Sequence, residues 1–185
     1  MIEHDTDVAL MLRVKDGDED AFRQLIERHQ RVVINVIHRA IGDAWEAEDL
    51  AQRVFLQVYR SAGRYQPTAK FTTWLFTITH NTIRNEYRRR SRHATESIEA
   101  MPEGVELRAQ GTDPAREVAE RELQQRIREA VQELPDAQRT AVILCRFEGQ
   151  SYEEIAAVLG CSVAAVKSLL HRARQTLKEQ LRGLY

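Results

Sequence analysis

The stretch SYEEIAAVLGCSVAAVKSLLHRAR, residues 151–174, predicts two helices joined by a short turn. Ser151 with Glu154 three positions later has the spacing of a capping box, which marks the start of the first helix. Gly160 is expected to end that helix, because glycine readily adopts the left-handed conformation that closes many helices. Ser162 is a suitable N-cap for the second helix. The sequence therefore predicts a helix, a turn at LGCS and a second helix.

The second helix of this pair has two chemically different sides. Its apolar residues recur at helical spacing on one flank, where Val166, Leu170 and Ala173 lie together. In a helix-turn-helix, the outer side of the second helix can enter a DNA major groove, with its N-terminal residues nearest the bases. The alternative is a solvated amphipathic helix in a bundle. The candidate base-edge residues are Ser162, Ala164, Lys167, Ser168 and His171, and the candidate phosphate contacts are Arg172, Arg174 and Lys178.

Composition limits the classes of protein that the chain can belong to. It has 185 residues, a formal net charge of −1 and 30% charged residues, a length that fits one domain or two small ones. Any contact with nucleic acid must therefore come from local basic clusters or be assisted by a partner. The sequence shows neither an apolar membrane span nor a secretory signal pattern. Cys145 and Cys161 lie far apart without a CxxC motif, so a reduced cytoplasmic chain is the simplest interpretation.

Helical periodicity runs through most of the chain. A first helix capped by Thr6, a long amphipathic helix closed by Gly42, a third helix and a fourth from about residue 73 to about residue 90 are predicted. Residues 93–113 are acidic, contain Gly and Pro and have no sustained period, which favours an extended linker. The sequence therefore predicts an all-α protein with two small helical modules, 1–92 and 114–185, joined by an acidic linker, 93–113.

The fourth helix contains FTTWLFTITHNTIRNEYRRRSR, residues 71–92, and mixes aromatic, amide and basic residues on one side. Trp74, Asn81, Asn85 and Arg88 follow at steps of seven, four and three. An aromatic ring can stack on a base, an amide can recognise a base edge, and arginines can hold phosphates, so this side suits single-stranded nucleic acid. The alternative places Trp74 in the core and the arginines at a solvated helix end.

The third helix, WEAEDLAQRVFLQVYR at residues 45–60, has an outer side that includes an apolar residue. With its periodic apolar stripe buried, Asp49, Gln52, Arg53 and Leu56 are expected to point outward together. An outward Leu among polar groups often marks a binding surface, although single exposed leucines are common. The sequence therefore favours a protein-binding face here without deciding it.

Together these patterns resemble bacterial extracytoplasmic-function (ECF, group IV) RNA polymerase sigma factors. The stretch LPDAQRTAVILCRFEGQSYEEIAAVLGCSVAAVKSLLHRARQTL, residues 134–177, is similar to region 4 of that family, and the first module is similar to region 2. The resemblance implies a transcription initiation factor that binds RNA polymerase core and directs it to −10 and −35 promoter elements. It implies no enzyme activity and no cofactor.

The resemblance also implies roles for particular residues and partners. Helix 71–92 and the loop QPTAKF before it would melt the −10 element and hold a flipped base. The outer side of the third helix, which corresponds to region 2.2 of the family, would dock on the β′ clamp helices. Region 4 would contact the β flap, and the acidic linker would thread the polymerase cleft. A further implied partner is an anti-sigma factor or another regulator, without membrane insertion. The implied −10 residues are Lys70, Phe71, Trp74, Asn81, Asn85 and Arg88, and the implied core-binding residues are Glu48, Asp49, Gln52, Arg53 and Leu56.

Arg53 departs from the family, whose members usually have Glu at this position. A positive charge would repel basic residues on the β′ clamp helices, which predicts weak core binding that an added phosphate would restore. In the alternative, Arg53 pairs with Asp49 four residues earlier and is tolerated. Ala165 and Leu169 stand where many relatives have Thr and a basic residue, which predicts fewer phosphate contacts from that helix.

Two rival functions have to be compared with this interpretation. EAED at residues 46–49 is similar to the metal-binding helices of all-helical nucleotide pyrophosphohydrolases, but no second acidic pair follows on a partner helix. Cys145, Cys161 and His171 do not have zinc-ligand spacing, so no metal site is expected. A free-standing helix-turn-helix regulator would explain residues 150–178 equally well, but it leaves Trp74, Asn81 and an outward Leu56 without a role.

Overall fold

A computed structural model describes residues 2–94 and 114–182, with side chains over 6–92 and 121–182. Within these ranges the secondary structure is helical, which confirms the predicted all-α class. The predicted acidic linker lies outside the described residues except for residues 93 and 94, which continue the fourth helix. The α-helices are α1 (Ile2–Lys15), α2 (Glu19–Ile41), α3 (Ala44–Ser61), α4 (Phe71–Ala94), α5 (Pro114–Gln132), α6 (Asp136–Arg146), α7 (Tyr152–Leu159) and α8 (Val163–Gln180), with a 3₁₀ turn at Ala62–Arg64.

Local capping explains where most of these helices begin and end. The carboxylates of Asp18 and Asp43 accept hydrogen bonds from backbone N–H groups in the first turns of α2 and α3, at 2.9 Å in both cases. Gly42 closes α2 at a φ of +88°, a left-handed conformation that favours glycine. The predicted start of the first helix was wrong, because α1 already begins at Ile2 and Thr6 lies inside it.

The first four helices form a bundle around a continuous apolar core. α2 packs against α1, α3 and α4, and α3 also packs against α4. Leu25, Ile37, Leu50 and Leu75 are fully buried at its centre. This bundle leaves the outer sides of α3 and α4 on the surface, so those sides are available to partners.

The last four helices pack mainly through α6, α7 and α8. α7 is short and contacts α4, α6 and α8, while α5 lies against α2 and α8. Ile143, Leu144, Ile155 and Val166 are buried. No single described helix is long and apolar enough to cross a membrane; α7 and α8 reach the required length and composition only when taken together, and they are bent by 97° at their junction.

Candidate functional site

α7 and α8 form the helix-turn-helix that the sequence predicts. Ser151 and Glu154 make both hydrogen bonds of the capping box, and Gly160 ends α7 at a φ of +63°. The Ser162 hydroxyl accepts the Ala165 N–H at 3.2 Å and caps α8. The two helices meet at 97°, within the range of about 90–120° that is usual for helix-turn-helix units. The short turn and both caps therefore fix how α8 projects from the module.

The side of α8 away from the core carries its polar and basic residues. Val166 and Ala173 are buried, whereas Leu169, Leu170 and Leu177 are half-buried against the same core. The Ser168 hydroxyl donates to the Ala164 carbonyl at 3.1 Å, which leaves its oxygen free to accept. The structure brings together, all exposed, the eight residues predicted for this face, namely Ser162, Ala164, Lys167, Ser168, His171, Arg172, Arg174 and Lys178.

A second exposed stripe runs along α4. Asn81, Asn85 and Arg88 are exposed at steps of four and three, so they lie on one side of the helix. Trp74, seven residues before Asn81, falls on the same side and is half-buried. Arg92 extends the stripe by one more turn and is also exposed, a position that the sequence analysis did not single out.

The aromatic residues near the start of α4 form a cluster with the preceding loop. The ring of Trp74 stands edge-on to Tyr65 at 4.9 Å between centroids and lies 6.1 Å from Phe71. Phe71 is fully buried and also contacts the His29 ring at 5.2 Å. Its predicted role at the −10 element was wrong as a direct contact, because a ring with no exposed surface cannot touch DNA. Trp74 fits both the core interpretation and the DNA-contact interpretation, since part of its indole packs in the core and part remains accessible.

The basic run at the end of α4 is divided between two uses. Glu86 is buried, and its carboxylate accepts hydrogen bonds from Arg89 at 2.6 to 3.0 Å. These hydrogen bonds raise the pKa of the Arg89 guanidinium above its ordinary value. Arg90 pairs with Glu46 at the start of α3. Arg90 therefore ties α4 to α3 and Arg89 pairs within α4, while Arg88 and Arg92 remain on the accessible stripe.

Lys70, predicted to contact the −10 element, is exposed in the loop before α4 but already has a partner. Its ammonium nitrogen lies 2.7 Å from Oε1 of Glu154, the capping-box residue of α7. Burial alone would raise the pKa of Glu154, but hydrogen bonds from Lys70 and Ser151 together lower it below its ordinary value. Lys70 is thus engaged by the helix-turn-helix in this structure.

The outer side of α3 carries all five residues predicted to bind a protein partner. Leu56 is 48% exposed. The Arg53 guanidinium lies 2.6 Å from the Asp49 carboxylate, so the intrahelical pair that the sequence offered as an alternative is present. The exposed members of this face are Glu48, Asp49, Gln52, Arg53 and Leu56.

Two large apolar residues on this side of α3 were missed by the sequence analysis. Trp45 is 78% exposed and Tyr59 is 42% exposed. Both continue the series 45, 49, 52, 56 and 59, whose alternating steps of four and three keep one side of a helix. Extending the predicted face by one turn before Asp49 and one turn after Leu56 would have found them. Trp45, Leu56 and Tyr59 therefore give this face an apolar character that its central residues alone do not show.

Metal-ligating and redox groups do not gather elsewhere in the described parts of the chain. Over residues 2–94 and 114–182 there is no group of three or more His, Cys, Asp and Glu side chains placed to hold a metal ion. Cys145 and Cys161 are free thiols and half-buried.

Comparisons with known proteins agree with this division of the chain. Residues 25–93 match the family model for Sigma-70 region 2, and residues 124–177 match the model for Sigma-70, region 4. The RNA polymerase sigma-H factor of Pseudomonas aeruginosa is 34% identical over 189 residues, which cover 100% of this chain and 98% of that protein. The ECF RNA polymerase sigma-E factor of Haemophilus influenzae is 33% identical over 190 residues, covering 100% of both.

A solved structure shows a similar arrangement of helices. The sigma factor RpoE of Bartonella quintana, crystallised with the anti-sigma factor NepR, superposes with a TM-score of 0.71 at 26% identity, over 88% of this chain and 97% of that one. Regional models for both modules and relatives that span the whole chain lead to one assignment. The chain belongs to the ECF sigma factors and is a transcription initiation factor of that family.

Proposed function

We propose that this factor binds RNA polymerase core through α3, opens the −10 element with α4 and reads the −35 element with α8. The observation that carries the proposal is the presence of three exposed faces of different chemistry on one small chain. Transcription initiation needs a face that binds polymerase, a face that binds single-stranded DNA and a face that binds duplex DNA, and α3, α4 and α8 would supply these in turn. A free-standing regulator would need only the third.

The face of α8 suits the −35 major groove. Lys167, Ser168 and His171 lie in the first half of the helix, where a recognition helix comes nearest to base edges. A lysine donates to guanine acceptors, and a serine hydroxyl both donates and accepts. Arg172 and Arg174 are longer and lie towards the helix flank, which suits phosphates. Base selectivity is therefore assigned to the first set and general affinity to the second.

The stripe on α4 suits a melted −10 strand. Trp74 offers part of an indole face for stacking, and Asn81 and Asn85 offer amide groups to unpaired base edges. Arg88 supplies charge for the strand's phosphates. Lys70 joins these residues once it is released from Glu154. Phe71 supports the loop from below, because it is buried under Trp74 and Tyr65.

The face of α3 suits the β′ clamp helices of the polymerase. Its carboxylates and amide surround Leu56, and Trp45 and Tyr59 extend the apolar surface at both ends. Aromatic residues are enriched at the centres of protein interfaces because they bury a large area with few rotatable bonds. The C-terminal module would meet the β flap, and an anti-sigma factor is proposed as a further partner. The site of action is the cytoplasm, and the factor acts without a cofactor or a catalytic step of its own.

Reconstitution with purified polymerase core tests this proposal. The factor should form a stable complex with core, shift promoter DNA in a gel only when core is present and support transcripts from a defined start. Leu56→Asp should abolish the complex, whereas Leu12→Asp, at another exposed Leu on α1, should not. A DNA shift of equal strength without core, with no transcript in either case, would instead indicate a free-standing regulator.

A further inference from the structure

The loop before α4, which would hold a flipped −10 base, is exposed between two buried ends. Residues 66–70 are all exposed, whereas Tyr65 before them and Phe71 after them are almost completely buried. Inside the loop, the Thr68 N–H donates to the Gln66 carbonyl at 2.8 Å. An exposed loop is positioned by the rigid scaffold at its ends. The side chains that hold Tyr65 and Phe71 therefore influence the shape of the base pocket.

A buried carboxylate on α1 lies behind the end of this loop. Asp7 is 7% exposed, and each of its carboxylate oxygens contacts a side chain of α2. Oδ1 accepts from the Arg28 guanidinium at 2.9 Å, and Oδ2 lies 2.8 Å from Nε2 of His29. Because a carboxylate that faces an arginine can only accept, the imidazole donates in the second contact. The His29 ring lies 5.2 Å from the Phe71 ring between centroids, so Asp7 reaches the loop through one intermediate side chain.

The start of the loop is also tied to α1. The Lys15 ammonium donates to the Tyr65 carbonyl at 3.2 Å. Burial raises the pKa of the Tyr65 hydroxyl, and the negative charge of Asp7 raises it further. This hydroxyl is buried and has no hydrogen-bond partner among the described residues, so no hydrogen bond directs the Tyr65 ring. The ring is oriented by packing against Phe71 at 6.4 Å and Trp74 at 4.9 Å, and it therefore depends on what fixes Phe71.

Stability alone does not explain why this position carries a polar pair. Replacing a buried ion pair by apolar residues of similar volume is often neutral or stabilising. A hydrogen bond adds direction, because it holds the imidazole of His29 in one orientation. The fixed imidazole then fixes the Phe71 ring that packs against it, at an angle of 52° between the ring planes.

We propose that Asp7 and His29 are positioning residues for the −10 loop, which they hold through the Phe71 ring in the shape that receives an unpaired base. Phe71 passes this constraint on to Tyr65 and Trp74, which pack against it. The proposal rests on the proposed function of this loop and α4 at the −10 strand. A loop that already has its bound shape loses less conformational freedom when the base enters, so the pair acts by preorganisation and without touching DNA.

The test variants remove the pair, keep it in a milder form, or disturb the bundle elsewhere. Asp7→Ala removes the acceptor, whereas Asp7→Asn keeps an oxygen that can accept the His29 N–H. His29→Phe keeps a ring against Phe71 and loses the hydrogen bond, so it decides the question if Asp7→Ala fails to fold. Ile37→Ala is the matched control, because Ile37 is fully buried on the same helix, eight residues or about 12 Å beyond His29. Urea unfolding gives the stability of each variant, and the assays are run where each is folded.

Hydrogen exchange of the free factor measures positioning of the loop without DNA. Amides in the peptide covering residues 65–71 should exchange about fivefold faster or more in Asp7→Ala and His29→Phe, because the loop ends are then less firmly held. Asp7→Asn should lie closer to the wild type than Asp7→Ala does. Ile37→Ala should leave the exchange of this peptide unchanged even if it lowers global stability. Unchanged exchange in Asp7→Ala and His29→Phe, or an equal acceleration in Ile37→Ala, would overturn the positioning role.

Binding of single-stranded −10 DNA to the factor assembled with core measures the consequence for recognition. Oligonucleotides with each of the four bases at each −10 position in turn are titrated against the assembled wild type and variants. Asp7→Ala and His29→Phe should bind the preferred oligonucleotide about fivefold more weakly or worse and should discriminate less among the four bases, because the base must then order the loop itself. Their affinity for core should be unchanged.

The two readouts separate this proposal from the proposed function of α4. Faster exchange of the loop with full affinity and full base preference would overturn the link between the pair and base recognition. A wild-type assembly that binds all the oligonucleotides equally, or none of them, would count against the proposed function at the −10 strand, while the exchange result would still decide whether Asp7 and His29 position the loop.

Discussion

α4 and α8 both present basic and polar residues to solvent, yet the two helices obtain these faces in different ways. On α8 the exposed residues follow from helical spacing alone, with Val166 and Ala173 inward and the polar side chains outward. On α4 much of the same chemistry also serves the protein, since Phe71 is core and Arg89 binds buried Glu86. Substitutions on the exposed face of α8 should therefore leave the fold intact, whereas substitutions among the residues that α4 shares with the core should also destabilise the protein.

The largest effect is expected on α4, where a residue predicted to contact DNA belongs to the core. Phe71→Ala should destabilise the fold by about 3–5 kcal/mol, because it empties a fully buried aromatic site. Urea unfolding measures this change. Phe147→Ala, at a ring that is 46% exposed, is the control and should cost less than about 1 kcal/mol. A loss near zero for Phe71→Ala would contradict its assignment to the core.

On α8 the expected effects concern selectivity and leave stability unchanged. Lys167→Ala and Ser168→Ala should each cost about 1–3 kcal/mol on promoters whose −35 bases they contact, and little on others. Arg174→Ala should weaken all promoters alike, because phosphates carry no sequence information. Transcription from a library of −35 sequences separates the two patterns. The same ranking of promoters for Ser168→Ala and Arg174→Ala would contradict the assignment.

The buried contact between His80 on α4 and Thr140 on α6 should respond to acid. Burial lowers the pKa of His80 below its ordinary 6.5, helped by Arg84, while Asp136 opposes the shift and Arg139 lines the same site. Above 6.5 the folded and unfolded states both keep His80 neutral. Below it the unfolded state takes up a proton that the folded state excludes, so the folding equilibrium should weaken by up to about tenfold per pH unit.

Urea unfolding at pH 7.5 and pH 5.5 measures this response, with a lower free energy of unfolding expected at the lower pH. His80→Gln should reduce this loss of stability without removing it, because burial also lowers the pKa of His38, next to Arg128. Glu148 acts in the opposite direction, since burial raises its pKa and the folded state holds its proton more tightly. An identical loss of stability in the wild type and His80→Gln would exclude His80 as the responsible group.

The smallest expected effect is on α3. Arg53→Glu should tighten core binding by about twofold to fivefold, because it removes a positive charge and frees Asp49 from an exposed pair that is itself worth little. Equilibrium binding to labelled core measures the change, with Arg31→Glu as a control for overall charge. Equal or weaker binding by Arg53→Glu would show that Arg53 is neutral or a real contact, and the weak-docking hypothesis would be dropped.

The features predicted from the sequence are those set by local spacing and capping. Ser151 with Glu154, Ser162 and Gly160 define the helix-turn-helix because each acts within four residues of its position. The engagement of Lys70 by Glu154 and the burial of Phe71 were not predicted, because they depend on contacts between distant parts of the chain. Trp45 and Tyr59 were within reach, since the same helical steps that expose Leu56 also expose them.

One measurement tests the division of labour between α4 and α8 most directly. Transcription with core is compared on duplex and pre-melted −10 templates, each with an intact or scrambled −35 element, for the wild type, Asn81→Ala and Lys167→Ala. On the pre-melted template, transcription with Asn81→Ala should return towards the wild-type level. Transcription with Lys167→Ala should stay impaired on templates with an intact −35 element, whether or not the −10 element is melted. When the −35 element is scrambled, Lys167→Ala should no longer differ from the wild type. Equal responses of the two variants to melting and to scrambling would contradict the assignment of separate roles to the two helices.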